Sequence, residues 1–420
     1  MANYIRPRGT LDIYDLDSKI YDYIEKIGVE VARRHNFTRI ITPTFEQTNL
    51  YIRSTGESSD IVKKEMYDFL DKGGRSVTLR PEGTAGVIRA VVENKLYVND
   101  LPLKYYYIGS FFRYDRPGLG RYREFQQYGV ELIGSNSYLD DVEIIFYVVD
   151  MLKALGLNNY TIKINTFGDV NCRQKYRDVI KEFFANCLDD LCEDCKSRFI
   201  TNPLRILDCK IDHDYFKTKN IPTAISCLDE KNKEIFDNIL KLLDENQIKY
   251  EIDNYLVRGL DYYTGLIFEI EIQDENNQVY TVGAGGRYNN LVKDLGGPDL
   301  ECVGYAWGIN RLSIILKEKF EKDKFIERID TLIIPLDTNA FAIATKINNN
   351  LRDNGFISII NYKKNASAMF KYAAKKNVKY AIVIGEEELK TNTVQVKNLD
   401  TQIQEKIELV NLLSYLRGKK

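Results

Sequence analysis

Nowhere in the 420 residues does a run of apolar side chains approach the roughly 18 that a membrane-spanning helix requires. The opening Met1-Ala2-Asn3-Tyr4-Ile5-Arg6-Pro7-Arg8 also lacks the apolar core of a secretory signal. The expectation is a cytoplasmic protein with no membrane partner. Cysteine is sparse: seven residues, an odd number, are scattered through a long chain. That excludes a disulfide framework and points to reduced thiols. A strong charge of one sign is missing too, since the net charge is −2. The balance is uneven along the chain, however. From Arg328 onward there are 15 Lys and Arg against 9 Asp and Glu, leaving 44 against 52 before it. A basic C-terminal module on an acidic body fits contact with a polyanion, or a solvated lysine-rich face.

What is present suffices for large cores, with 44% hydrophobic and 29% charged residues. The length alone favours about two or three domains. Two dense clusters of glycine, aromatic and charged residues lie at Leu256-Val257-Arg258-Gly259-Leu260-Asp261-Tyr262-Tyr263-Thr264-Gly265 and at Gly283-Ala284-Gly285-Gly286-Arg287-Tyr288. Between them Ile267, Glu269 and Glu271 alternate with Phe268, Ile270 and Ile272, the period of a half-buried strand. Polar groups carried on a rigid sheet suit a small polar ligand. A plain β-meander with turn glycines would have the same composition.

Earlier in the chain, Ile20, Tyr23, Ile24, Ile27 and Val31 recur at helical spacing, and Ile40-Ile41-Thr42-Pro43 reads as a following strand. Short connecting elements are expected at Leu50 to Ile52 and Ser58 to Val62. A hairpin is expected around Asp71-Lys72-Gly73-Gly74. The loop Arg80-Pro81-Glu82-Gly83-Thr84-Ala85-Gly86 opens a helix to about Glu93, with backbone N–H groups free for an anion and Glu82 free for an ammonium group. Helix capping by Glu82 is the competing reading. From Lys104 to Gly134 two strands flank the turn-rich Asp115-Arg116-Pro117-Gly118-Leu119-Gly120. On the return, Arg121, Arg123, Phe125, Gln127, Gly129 and Glu131 share one face. Such variety is costly to bury without a ligand.

Residues 172 to 250 read as an inserted helical subdomain. Within it, Cys192-Glu193-Asp194-Cys195, Cys209 and His213 fall inside loose zinc-finger spacing. Only one C-x-x-C is seen, so reduced structural thiols are preferred and no metal is assigned. Gly304-Tyr305-Ala306-Trp307-Gly308-Ile309-Asn310-Arg311-Leu312 reads as a strand running into a helix, with Arg311 at the junction. After the charged linker 321–328, strands at Thr331 to Pro335, Ile357 to Ile360 and Tyr380 to Gly385 alternate with two helices, an α/β order. Lys371, Lys375 and Lys379 recur every four residues, a candidate phosphate-facing edge.

Together these stretches resemble the histidyl-tRNA synthetases, a family of class II aminoacyl-tRNA synthetases. Segments similar to the three class II motifs lie around Pro43, across Arg113 to Glu131, and at Gly304 to Leu312. The clusters containing Arg258 to Tyr263 and Gly283 to Tyr288 match the two histidine-specific motifs. The resemblance implies an α+β catalytic domain on an antiparallel sheet over residues 1–325, with the helical insertion at about 172–250. A C-terminal α/β anticodon-binding domain would cover 326–420. It implies ATP-dependent ligation of L-histidine to tRNA(His) through a histidyl-adenylate, with Mg²⁺ bridging the phosphates, by a homodimer whose interface forms near Pro43.

By the same resemblance, Arg113 and Arg258 are catalytic, neutralising two anions brought together. Glu82, Gly83, Thr84, Arg113, Gln127, Glu131, Arg258, Tyr262 and Tyr263 would bind histidine, with Glu131 and Tyr263 reading its ring. Arg113, Arg121, Tyr122, Glu124, Phe125 and Arg311 would bind ATP, Phe125 and Arg311 sandwiching adenine. Arg116, Lys371 and Lys375 would contact tRNA. Three departures stand out: Asn310 where an acid is usual, Trp307 in place of a smaller aliphatic residue, and Gly118-Leu119 where many relatives read the 5′ end of the tRNA. The alternative is a non-catalytic synthetase paralogue serving as a regulatory subunit of ATP phosphoribosyltransferase.

Overall fold

The alternation of Phe268, Ile270 and Ile272 with Glu269 and Glu271 becomes the strand Thr264–Gln273, with the three apolar side chains buried and the two glutamates half-buried. It belongs to a computed structural model that describes residues 4–56, 59–98, 100–212, 215–216, 218–274, 277–361 and 366–419. The chain forms two compact units, Met1–Lys322 and Asp323–Lys420.

The first unit is built on an eight-stranded sheet among the described residues. Its order is Thr38–Arg39, Leu103–Phe112, Glu124–Ile133, Cys302–Gly308, Val279–Arg287, Thr264–Gln273, Tyr160–Thr166 and Tyr250–Ile252. The inner pairings are antiparallel, and the two outermost strands pair in parallel. The helix Asp15–Arg34 buries Ile20, Ile24 and Val31, and Gly28 allows the close approach of Tyr128, whose hydroxyl donates to the Gly28 carbonyl at 2.9 Å. The helix Tyr138–Leu155 starts at a Ser137 cap and stops at Gly156 with φ 75°.

The expected strand at Ile40–Pro43 lies elsewhere. Pairing occurs at Thr38–Arg39, and only the Ile40 N–H still reaches the Tyr106 carbonyl, at 2.9 Å. Pro43 has no N–H to continue a ladder. The chain next joins a three-stranded sheet through Phe45–Gln47, beside Ser76–Leu79 and Tyr67–Leu70, the two strands of the expected hairpin. Leu50 to Ile52 lie inside a helix, Thr48–Thr55, rather than a connector. Ile61–Glu65 is helical, and Ser58 falls outside the described residues.

The insertion begins with the helix Val170–Ala185, capped by Asp169, and continues through Glu193–Thr201, the turns Pro203–Asp208 and the helix Glu230–Glu245. It is not a detached body. Phe184, Leu204 and Ile206 share one hydrophobic cluster with Tyr107, Phe111 and Ile267 of the sheet. Its last residues return to the sheet as the edge strand Tyr250–Ile252.

In the second unit Ser358–Ile360, Thr331–Pro335 and Tyr380–Ile384 pair in parallel. Two further strands, Thr393–Asn398 and Gln404–Glu408, extend the sheet in antiparallel fashion. Sequence reading misses them because Gln395, Lys397 and Glu405 dilute the apolar alternation. No helix among the described residues is long and apolar enough to cross a membrane.

Candidate active site

A cleft of about 520 Å³ opens on the central strands, within the size range of small-ligand sites. Behind its wall, under the lining residues Thr84, Tyr107, Tyr288 and Gly304, Glu131 is only 1% exposed on the strand Glu124–Ile133. The Thr84 hydroxyl donates to its Oε1 at 2.7 Å, the Tyr107 hydroxyl lies 3.4 Å from the same oxygen, and the Tyr288 hydroxyl donates to Oε2. Burial pushes the Glu131 carboxyl up to about 8, against the lowering effect of Tyr288 and Thr84.

Two glycines make room for this arrangement. Gly304 is the register partner of Glu131, and a Cβ there would lie 2.0 Å from Oε2. Gly129 is the register partner of Tyr107, and a Cβ there would lie 2.3 Å from the ring. Tyr262 stands edge-on to Tyr288, with ring centroids 5.6 Å apart, and Tyr263 packs on Tyr262 at 4.7 Å. Tyr107 and Tyr288, absent from the sequence-derived set, thus complete an aromatic wall. Sequence reading misses them because cross-strand register, which sets Gly129 opposite Tyr107 and Gly304 opposite Glu131, makes room for their rings.

Glu82 is buried, and its two oxygens accept the N–H groups of Thr84 at 2.7 Å and Ala85 at 2.9 Å. The capping reading is therefore realised geometrically. A carboxylate has about four acceptor sites, so these bonds leave capacity toward the cleft. Burial raises the Glu82 pKa, and the two backbone N–H groups oppose the rise. Gln127 also lines the cleft, and its buried Oε1 has no hydrogen-bond partner among the described residues. Arg113 donates from Nε to the Pro81 carbonyl at 2.9 Å, which aims its guanidinium into the cleft 5.5 Å from the Phe125 ring centroid. Arg258 pairs through Nη1 with Glu269 of the adjacent strand. Burial raises the Glu269 pKa, and Arg258 counters it.

At the other end of the cleft lie Phe125, Tyr122, Arg121 and Arg311. Arg311 is fixed by Nη1 donation to the Thr281 carbonyl at 2.5 Å. Asn310 is buried, and its Oδ1 accepts the Gln126 N–H at 2.7 Å, a service an acid would also perform. Trp307 is buried edge-on against Tyr305, and Gly283 opposite it has no side chain to clash with it. Both histidine-motif clusters face this one cleft, through Arg258 and Tyr263 on one side and Gly283 and Ala284 on the other.

Some expected residues stand apart. Arg121 and Arg123 precede the strand, which starts at Glu124, so their side chains do not continue its face. Arg121 pairs with Asp115. Glu124 is exposed and outside the cleft lining, and Arg116 and Leu119 are exposed in the turn between the two strands. Arg287 of the second cluster points behind the sheet, to Asp141 at 2.7 Å and Glu301 at 2.8 Å. In the second unit Lys371 and Lys375 are exposed on the helix Ala366–Lys375, while Lys379 donates to the Lys419 carbonyl at 2.8 Å. His213 lies outside the described residues.

Comparison with known proteins follows the same outline. A family model described as histidyl-tRNA synthetase matches residues 9–174 and 212–312, and one described as an anticodon binding domain matches 330–419. The histidine–tRNA ligase of Thermosipho melanesiensis is 44% identical over 406 residues, spanning 96% of each chain. A crystal structure of apo S. aureus histidyl-tRNA synthetase superposes with a TM-score of 0.83 at 37% identity, covering 98% of this chain and 99% of that one. A structure from Bacillus halodurans C, titled an ATP phosphoribosyltransferase regulatory subunit/histidyl-tRNA synthetase, gives 0.67 at 21% identity, covering 92% and 99%, a likeness of fold alone.

Proposed function

The chain belongs to the histidyl-tRNA synthetase family, and from that premise we propose how its cleft carries out the ATP-dependent ligation of L-histidine to its cognate tRNA through a histidyl-adenylate. The carrying observation is the buried Glu131, held by the hydroxyls of Thr84, Tyr107 and Tyr288, three residues that line a cleft also lined by Arg113 and Arg258. Glu131 accepts an N–H of the imidazole, and Tyr263 meets the other side of the ring. A competing amino acid without a ring N–H forgoes the charge-assisted bond to that carboxylate, so the penalty falls on the wrong substrate. The α-ammonium group donates to Gln127 Oε1 and to the open lone pairs of Glu82, with Thr84 beside it.

Histidine's carboxylate then attacks the α-phosphate of ATP, which enters as its Mg²⁺ complex. The new C–O–P bond forms as the bond to pyrophosphate breaks. Arg113 and Arg258 neutralise the two converging anions, in a position where charge develops in the transition state. Phe125 stacks beneath adenine and Arg311 covers its other face. Arg121 and Tyr122 complete the nucleotide end, with Glu124 at its rim.

The three-stranded sheet exposes Ile41 (79%), Phe45 (54%) and Leu70 (70%) in or beside its strands. An apolar edge of this kind supports a homodimer formed there. Arg116 and the exposed Lys371 and Lys375 are assigned to tRNA contacts, and the setting is cytoplasmic.

Charging of tRNA(His) with radiolabelled histidine tests the reading, because it engages pocket, chemistry and anticodon module together. ATP-dependent charging is expected. A chain that binds histidine but neither forms adenylate nor charges tRNA would favour the regulatory-subunit alternative.

A further inference from the structure

Beside the catalytic cleft, two short segments present donors at the same two-residue spacing: Cys192-Glu193-Asp194-Cys195 and Cys209-Lys210-Ile211-Asp212. We propose that Cys192, Cys195, Cys209 and Asp212 form a closed, four-coordinate Zn²⁺ site that staples the inserted segment to the wall of the cleft. The four donor atoms lie within 4.8 Å of one another, and Cys195, Cys209 and Asp212 are buried. The distance from Cys192 Sγ to Cys209 Sγ is 3.7 Å, and from Cys209 Sγ to Asp212 Oδ2 it is 3.6 Å. Zinc–sulfur bonds of about 2.3 Å in a tetrahedron place two sulfurs roughly 3.8 Å apart, so these edges fit a shared ion with little movement. A disulfide would require about 2.05 Å between two of the sulfurs and would leave the other thiol and the carboxylate without a role.

The backbone supports the same assignment. The Asp212 N–H points at Cys209 Sγ, 3.4 Å away, and the Cys192 N–H points at the Asp212 carboxylate, at 3.1 and 3.3 Å from its two oxygens. N–H groups aimed at ligand atoms stabilise their charged forms and fix their orientation. Cys192 is the N-cap of the helix Glu193–Thr201, whose N-terminal dipole favours a thiolate. Three soft thiolates and one carboxylate, with no position left open, suit a structural zinc ion rather than a catalytic one or a hard oxygen-seeking cation.

The consequence is local. Asp208 and Lys210 flank Cys209 and both line the catalytic cleft. Just before them, Arg205 pairs with Asp60 at 2.6 Å, and Asn202 donates to Asp261 Oδ1 at 2.6 Å. The staple therefore fixes a strip of chain that contacts both Asp261 of the histidine motif and Asp60.

Metal analysis of the full-length chain, purified under reducing conditions without added zinc, reads the site directly. The expected content is one zinc per chain. After stripping under reducing conditions, Co²⁺ should restore a thiolate-to-metal charge-transfer band and the visible d–d bands of a tetrahedral site. Asp212→Ala should weaken zinc binding by about tenfold or more, whereas Asp212→Cys, which restores a fourth ligand, should retain it. Because these variants alter one donor each, loss of fold is checked by circular dichroism. A wild-type chain that holds no zinc, and after reduction gives no tetrahedral cobalt spectrum, overturns the site. So does a folded chain in which Cys192 and Cys209 are joined by a disulfide and no metal is taken up on reduction.

Discussion

The Thr84 hydroxyl donates to Glu131 at 2.7 Å, joining the first turn of a helix to the C-terminal part of a sheet strand 47 residues away in sequence. The same helix start carries the Thr84 and Ala85 N–H groups that hold Glu82. One short segment thus places both carboxylates assigned to the amino acid. Replacing Glu131 by Gln keeps the size and removes the charged acceptor. A charge-assisted hydrogen bond is worth roughly 1.5–3 kcal/mol, so kcat/KM for histidine should fall about 10- to 100-fold with KM for ATP little changed. Steady-state adenylation kinetics check this.

The raised pKa of Glu131, about 8, makes histidine binding pH-dependent in a defined way. Free imidazole has a pKa of about 6.5. Between these values the pocket is protonated and the ligand neutral, and the complex also holds one proton between ring and carboxyl. No proton is gained or lost on binding, so affinity should be flat there. Below about 6.5 the imidazolium must lose a proton, and above about 8 the complex must take one up, so affinity should fall on both sides. In Glu131→Gln the upper limb should weaken, since only the ligand's own ammonium then titrates. Calorimetry across this range reads both profiles.

Arg258 is tied to Glu269, so removing it has two effects. Arg258→Ala should lower adenylate formation about 10²- to 10³-fold through lost charge stabilisation. It should also lower the melting temperature, because Glu269 is left half-buried without its cation. Adding Glu269→Gln should restore most of the melting temperature and none of the rate. Recovery of both together would show that Arg258 acts only structurally.

Gly304→Ala should be more harmful to histidine than to ATP. Its Cβ would lie 2.0 Å from Glu131 Oε2 and 2.5 Å from the Val130 carbonyl, so the carboxylate or strand must shift. Separate binding titrations of histidine and of ATP would show whether the loss is selective.

Much of this site was legible in the sequence, and the reasons are physical. Alternation around Phe268 and Glu269 revealed the strand, and the mixed face of Phe125, Gln127 and Glu131 marked the strand Glu124–Ile133 as the candidate binding wall. The resemblance then gave the residues their roles. What stayed hidden depends on cross-strand register. Tyr107 and Tyr288 reach Glu131 only because Gly129 and Gly304 sit where other side chains would block them, and no local pattern states which residues face each other. Pairing of Arg258 with Glu269 and of Arg287 with Asp141 was likewise invisible, since opposite charges in a list do not reveal distance. The strand near Ile40 was misplaced because apolar content outweighed the Pro43 that stops pairing.

The most direct measurement is histidine-dependent exchange between ATP and pyrophosphate, run with wild type, Glu131→Gln and Arg258→Ala. Exchange that requires histidine, falls strongly in Glu131→Gln and nearly vanishes in Arg258→Ala is the expected result. Wild-type exchange that persists undiminished in both variants would contradict the assignment of this cleft to histidine activation.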